Sequence, residues 1–196
     1  MRRVYLGDLQ PGMIIARTII GRDGRSLLTE NTRLTENYIS KLDTLGITSI
    51  YIKDGLADNE IPEIISQKVL SQVSNSLNLS IKSLTTRNVL QIDSLKKSVS
   101  LLIEDIMSNQ HLLIQLEDIH SSDDYLFFHS INVAVFSIMV GITLGYPESK
   151  LMDIGLGALM HDIGMIMIDQ GILKKTGPLD PKELEQLKEH PEIGFN

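Results

Sequence analysis

The chain has 196 residues and a hydrophobic fraction of 42%, enough for one sizeable core or two modest ones joined by a connector. Its 18 Lys and Arg stand against 25 Asp and Glu, a net charge of -7, which excludes a broad phosphate-tracking surface for DNA or RNA and leaves room for a small phosphorylated ligand. Cysteine is absent, so disulfides, thiolate zinc sites and cysteine nucleophiles are excluded together, and any metal must rest on His, Asp or Glu.

The first residues, Met1-Arg2-Arg3-Val4-Tyr5-Leu6-Gly7-Asp8, become acidic and turn-like before an apolar run can build. No secretory signal is expected there, and a cytoplasmic location follows. Up to about residue 55 the pattern is short extended runs broken by turns. Pro11-Gly12 precedes the run from Met13 to Ile20, and Asp23-Gly24 supplies the positive-φ dipeptide of a hairpin before Ser26-Leu27-Leu28. Thr35 caps a predicted helix carrying Tyr38, Ile39, Leu42 and Leu45, which Gly46 stops, and Ser49-Ile50-Tyr51-Ile52 reads as a closing strand.

From 56 to 120 the chain reads as a helical connector. Ile65, Val69, Val73 and Leu77 recur every four residues, a narrow stripe suited to the next domain or to a second copy in a homodimer. Ile92, Leu95, Val99, Leu102 and Ile106 continue the helical rhythm, Ser108-Asn109-Gln110 is a break, and Leu112, Leu113 and Leu116 mark a further short helix.

From 121 onward the pattern is that of an all-helical bundle, so the expected class is α+β overall. Ser121 or Ser122 caps a helix with Asp123 and Asp124 in its first turn. That helix contains an uncharged stretch, Tyr125 to Pro147, long enough to span a bilayer, but His129, Ser130, Asn132 and Ser137 dilute it and its flanks lack Lys and Arg anchors. A buried helix of a core is expected instead. A second helix runs from about Glu148 to Asp162 and stops at Gly164. The last has Asp180 as N-cap, Pro181 at its first position, Glu183 completing a capping box, and Pro191 ending it just after His190.

These helices turn His129, His161-Asp162 and His190 inward. A buried His needs partners for both ring nitrogens, and a buried Asp needs a cation. Metal coordination satisfies both, and a core histidine bonded to a backbone carbonyl satisfies the first; spacing alone leaves the two readings open. Asp153, eight residues before His161, is a candidate outer partner of that histidine. His111 and His120 fall at helix edges and read as solvent-exposed. Met139, Met152, Met160, Met165 and Met167 read as adaptable core filling.

Four separated blocks go further. They are Asp124-Tyr125 with His129-Ser130-Ile131-Asn132-Val133-Ala134, then Leu159-Met160-His161-Asp162-Ile163-Gly164, then Ile172-Leu173-Lys174-Lys175-Thr176-Gly177-Pro178-Leu179, and His190-Pro191-Glu192-Ile193-Gly194. In this order they resemble the opening of an HD-GYP domain, the cyclic-di-GMP-hydrolysing branch of the HD phosphohydrolase superfamily. The N-terminal unit also resembles a small domain that often precedes such domains.

The resemblance implies an HD-type bundle in which His129, His161, Asp162 and His190 are metal ligands, Asp162 bridges two ions, and Asp162 and His161 are catalytic. It implies two or more divalent ions, iron or manganese, although imidazole and carboxylate suit zinc as well. The reaction it implies is in-line attack of hydroxide on a phosphorus of cyclic di-GMP or a related small nucleotide. Lys175 matches the family's loop lysine and would bind substrate, with Lys174 beside it.

Two departures are visible. Met165 stands where the family has a lysine after His-Asp-Ile-Gly, and a thioether cannot replace that cation. The family's paired histidines, following aspartate and Gly-Tyr-Pro motif would lie beyond Asn196, since Gly145-Tyr146-Pro147 precedes the His-Asp pair; the residues here should hold at most an incomplete, inactive site. Three readings follow: a cytoplasmic phosphodiesterase whose N-terminal unit serves regulation and meets signalling partners, a regulatory module that binds metal or nucleotide without turnover, and an HD phosphohydrolase of another phosphate ester.

Overall fold

The structure, a computed structural model, describes residues 1–53, 55, 65–108 and 125–195. It is mostly helical with a few short strands, as an α+β reading requires. Strand β1 (Arg2–Tyr5) pairs antiparallel with β4 (Ser49–Ile52), Val4 opposite Ile50, and β2 (Ile19–Ile20) pairs with β3 (Ser26–Leu28) across the Asp23-Gly24 turn. Between them lies helix α1 (Glu36–Thr44), whose cap Thr35 accepts a hydrogen bond from the Tyr38 amide at 3.3 Å. Ile15, Leu34, Leu42 and Ile50 form the centre of this unit's own core.

The run from Met13 to Ile20 is not one strand. Ile14 bridges to Arg33 and Ile15 to Ile52, so two neighbouring residues serve different partners and the chain bends before β2 begins. The bridge at Ile15 gives β4 a neighbour on its second edge, which is why all four of its residues are buried.

Helices α2 (Gln67–Arg87) and α3 (Ile92–Ser108) follow, then α4 (Tyr125–Thr143) and α5 (Glu148–Met160). Ser66 caps α2, and Asn88 ends it in the left-handed region with φ 53°. The stripe Ile65, Val69, Val73 and Leu77 is buried together with Leu95, Val99 and Leu102 of α3, Ile131, Val135 and Ile138 of α4, and Leu151 and Leu159 of α5. That stripe is therefore taken up inside the chain and not by a second copy. Met139, Met152 and Met160 pack against this core as expected, whereas Met167 is exposed.

Beyond α5 lie a 3-10 turn (Ile163–Met167) and three short helices, α6 (Gln170–Leu173), α7 (Pro181–Lys188) and α8 (His190–Phe195). The capping box of α7 forms as read, Asp180 accepting from the amides of Lys182 and Glu183 while Glu183 accepts from the Asp180 amide. Pro191 has a second role. Helix α7 already ends at Lys188, and Pro191 sits in the first turn of α8, where its missing N–H costs no hydrogen bond. Among the described residues no helix is long and apolar enough to cross a membrane. Asn109, Gln110, His111, Leu112, Leu113, Leu116, His120, Ser121, Ser122, Asp123 and Asp124, for which the sequence predicts a break, a short helix, exposed histidines and a helix start, lie outside the described residues.

Candidate metal centre

His129 projects from the first half of α4. His161 is the residue at which α5 ends, and Asp162 follows with φ -106° and ψ 15°, outside helical geometry, before the 3-10 turn begins. The predicted helix to Asp162 thus stops two residues early. The change of backbone direction is what separates the two side chains, so that neighbours in sequence reach one point from different angles.

All four sequence-predicted residues meet around one carboxylate. His161 Nε2 lies 3.0 Å and His129 Nε2 3.8 Å from Asp162 Oδ2, and His190 Nε2 lies 3.4 Å from Asp162 Oδ1. Their side chains are between 17% and 35% exposed, so the cluster is open to solvent and not sealed in the core.

The other ring nitrogens identify the donor set. His161 Nδ1 is 2.8 Å from the Ala158 carbonyl oxygen, and His190 Nδ1 is 2.7 Å from that of Leu187. A carbonyl only accepts, so in these bonds both Nδ1 atoms donate, which leaves each Nε2 facing Asp162, a metal ligand in the neutral ring and a donor to the carboxylate in the protonated one. Both bonds run back three residues to a carbonyl in the last turn of a helix, where four C=O groups lack intrahelical partners. With both rings neutral, two lone pairs would face the carboxylate, an arrangement that a cation among them would relieve. Two ligand atoms about 2.1 Å from a common ion are at most about 4.2 Å apart, and the three separations above fall inside that limit. His129, His161 and Asp162 are thus close enough to hold one metal ion, with His190 on the other carboxylate oxygen.

Gly164 brings His190 there. A Cβ on Gly164 would stand 2.0 Å from the His190 carbonyl oxygen and 2.7 Å from the Gly194 amide nitrogen, so the 3-10 turn and α8 touch backbone to backbone. Sequence reasoning took Gly164 for a helix stop; its larger role is this contact. The carbonyls of Ala158 and Leu187 were also missed, because a backbone group leaves no trace in residue type. Asp153 is not the outer partner of His161. It is exposed on α5, and the Ala158 carbonyl accepts from His161 Nδ1 while Nε2 faces Asp162.

Asp162 also lines a cavity of about 470 Å³. Its walls are mainly apolar, with Leu77, Phe127 and Leu159 among them, and Lys174 and Lys175 contribute charge. Lys175 Nζ is paired with Glu183. That hydrogen bond, then the Asp180 amide, holds the Glu183 carboxyl below its usual range; the Glu183 amide chiefly lowers Asp180 in the same way. Met165 lines the cavity as well, so it is not core filling.

Residues 126–196 match the HD domain family. A cyclic di-GMP phosphodiesterase of Pseudomonas aeruginosa is 30% identical over 89 residues, 45% of this chain and 22% of that protein. The cyclic di-GMP phosphodiesterase PdeB of Borreliella burgdorferi is 32% identical over 74 residues, 38% of this chain and 20% of the other. A cyclic di-GMP phosphodiesterase of Thermotoga maritima is 39% identical over 67 residues, covering 34% and 18%. The chain spans about a fifth of the length of these relatives. No solved structure matches it. The matched stretch contains all of the four motif blocks except Asp124-Tyr125.

Proposed function

We propose that this chain belongs to a metal-dependent phosphodiesterase that hydrolyses cyclic di-GMP in cytoplasmic signalling, with residues 1–55 as a regulatory unit and residues 121–196 as part of an HD-type bundle. The observation that carries the reading is the convergence of three imidazole Nε2 atoms on the Asp162 carboxylate beside a cavity that Asp162 itself lines. The relatives named for this activity support the choice of substrate.

In this reading His129, His161, Asp162 and His190 hold divalent ions, iron or manganese. Such ions supply Lewis acidity toward phosphoryl oxygens and an activated water. The remaining work falls to the chain. The Ala158 and Leu187 carbonyls keep His161 and His190 in the tautomer that exposes Nε2. Asp162 faces imidazoles on both oxygens and so can bridge two ions, and His161 stands with it at the reacting centre. Leu77, Phe127 and Leu159 offer apolar wall to a base. Lys175 contributes to substrate binding only after exchanging Glu183 for phosphate.

Met165 favours a second reading, a module that binds metal or nucleotide without turnover, because it presents a thioether to the cavity where a cation would assist phosphate binding. The test is metal content together with cyclic di-GMP hydrolysis on the protein as its gene encodes it, wild type and Met165→Lys. Metal with wild-type turnover supports the phosphodiesterase. Metal with turnover only in Met165→Lys, or in neither, supports the binding module. Absence of metal in protein purified with manganese or iron overturns the proposed metal site and with it the phosphodiesterase, and leaves the module only nucleotide binding.

A further inference from the structure

The cavity beside Asp162 is not built from the C-terminal helices alone. Arg22, from the β2–β3 hairpin of the N-terminal unit, lines it together with Leu77 and Ile81 of α2 and Phe127 of α4. Its guanidinium carbon lies 5.9 Å from the centroid of the Phe127 ring, and Phe127 is buried. Stacking on an aromatic ring engages the face of a guanidinium, whereas phosphate is recognised along its N–H edge, so the two contacts are compatible.

The hairpin is seated on α2 by a tight contact. Gly24 adopts φ +77°, and a Cβ there would stand 2.3 Å from the Ser71 carbonyl oxygen, closer than any side chain permits. Ser71 Oγ donates to the Gly24 carbonyl. The turn is closed internally by Gly21 accepting from the Gly24 amide at 2.9 Å and by Asp23 Oδ1 accepting from the Arg25 amide at 3.1 Å. Helix α2 therefore holds the turn at Ser71 and lines the cavity at Leu77 and Ile81, so one rigid element sets the distance between Arg22 and the pocket.

Among the described residues Arg22, Lys174 and Lys175 are the cations that border this cavity, and Arg22 is the one contributed by the N-terminal unit. We infer that Arg22 is a ligand-binding residue of the site, contributed by the N-terminal unit to a phosphate group of the compound that occupies the cavity. The inference rests on the proposed function only in taking a phosphate ester as ligand. It deepens that reading by making the N-terminal unit part of the site, so that seating of the hairpin and ligand binding favour one another.

The experiment is calorimetric titration of manganese-loaded protein with cyclic di-GMP and, separately, with inorganic phosphate, for wild type, Arg22→Ala, Arg22→Lys and Gly24→Ala, with manganese affinity measured in parallel. Loss of a charged hydrogen-bond partner should weaken ligand binding by roughly tenfold or more in Arg22→Ala. Arg22→Lys should recover part of it, because a point charge replaces the fork. Gly24→Ala, which unseats the hairpin and keeps Arg22, should lose affinity as Arg22→Ala does, with manganese affinity unchanged in all. Ligand affinities in Arg22→Ala within about twofold of wild type overturn the inference, and if wild type still hydrolyses cyclic di-GMP the functional reading stands without it. Arg22-dependent binding of inorganic phosphate without binding of cyclic di-GMP upholds the inference and removes the substrate. Wild type that binds neither overturns both.

Discussion

Asp162 carries opposite obligations to three rings, and its removal separates the metal reading from a structural one. Asp162→Ala should lower manganese or iron affinity by well over tenfold, read as metal content after dialysis, with the far-UV spectrum retained because the side chain packs little apolar surface. Retained metal in that variant would remove Asp162 from the site. Gly164 acts on the same site through the backbone. A methyl group there must push α8 from the 3-10 turn, so Gly164→Ala should cost about 1–3 kcal/mol in urea unfolding and weaken metal binding as His190 leaves Asp162. At this scale the four residues that meet at Asp162 could be picked out as candidates from residue type, motif order and helical placement. What set their chemistry could not, because the Ala158 and Leu187 carbonyls belong to every residue and are singled out only by where each helix ends.

Among the elements, α7 is the one whose stability follows pH most directly. Asp180 and Glu183 both have lowered pKa values, so the cap they form is fully present above the ordinary carboxylate range and is lost as pH falls through the lowered values. NMR amide shifts of residues 181–188 should therefore stay helical through mild acid and collapse only in stronger acid, and Glu183→Gln should leave Asp180 as the one titrating carboxylate of the cap, because the amide keeps an acceptor for the Asp180 N–H. Helix α2 shows the reverse situation. Ser74 is fully buried, and its hydroxyl finds no hydrogen-bond partner among the described residues. Ser74→Ala should be neutral or stabilising by up to about 1 kcal/mol; a clear loss of stability would mean that the hydroxyl is satisfied. The caps of α1 and α7 could be read from Thr35 and from Asp180 with Glu183, since capping is local chemistry. The broken run at Met13–Ile20 could not, because pairing of Ile14 and Ile15 with Arg33 and Ile52 is decided by distant residues.

For the molecule as a whole, the division into two cores matters most. Leu102 is fully buried where α2, α3, α4 and α5 share one core, so Leu102→Ala should cost about 2–5 kcal/mol and loosen those helices as one unit in hydrogen exchange. The separate core around Ile15, Leu34 and Ile50 should keep its protection. Metal acts at this scale too. An ion held only by the folded cluster raises stability by mass action, about 2.7 kcal/mol at a hundredfold excess over its dissociation constant, and a chelator should return the melting temperature to that of Asp162→Ala.

The sequence by itself determined the helical periods, the caps and the hairpin turn, because each of these depends on residue type at short spacing, and its motif order singled out His129, His161, Asp162 and His190 as candidates for one site. Only the tertiary structure decided that the stripe of α2 is covered within the chain, that the Ala158 carbonyl and not Asp153 meets His161 Nδ1, that Lys175 is matched by Glu183, and that Arg22 borders the cavity beside Asp162. Each of those outcomes turns on which surfaces meet, and contacts between residues far apart in the chain are settled by packing, which no local pattern records.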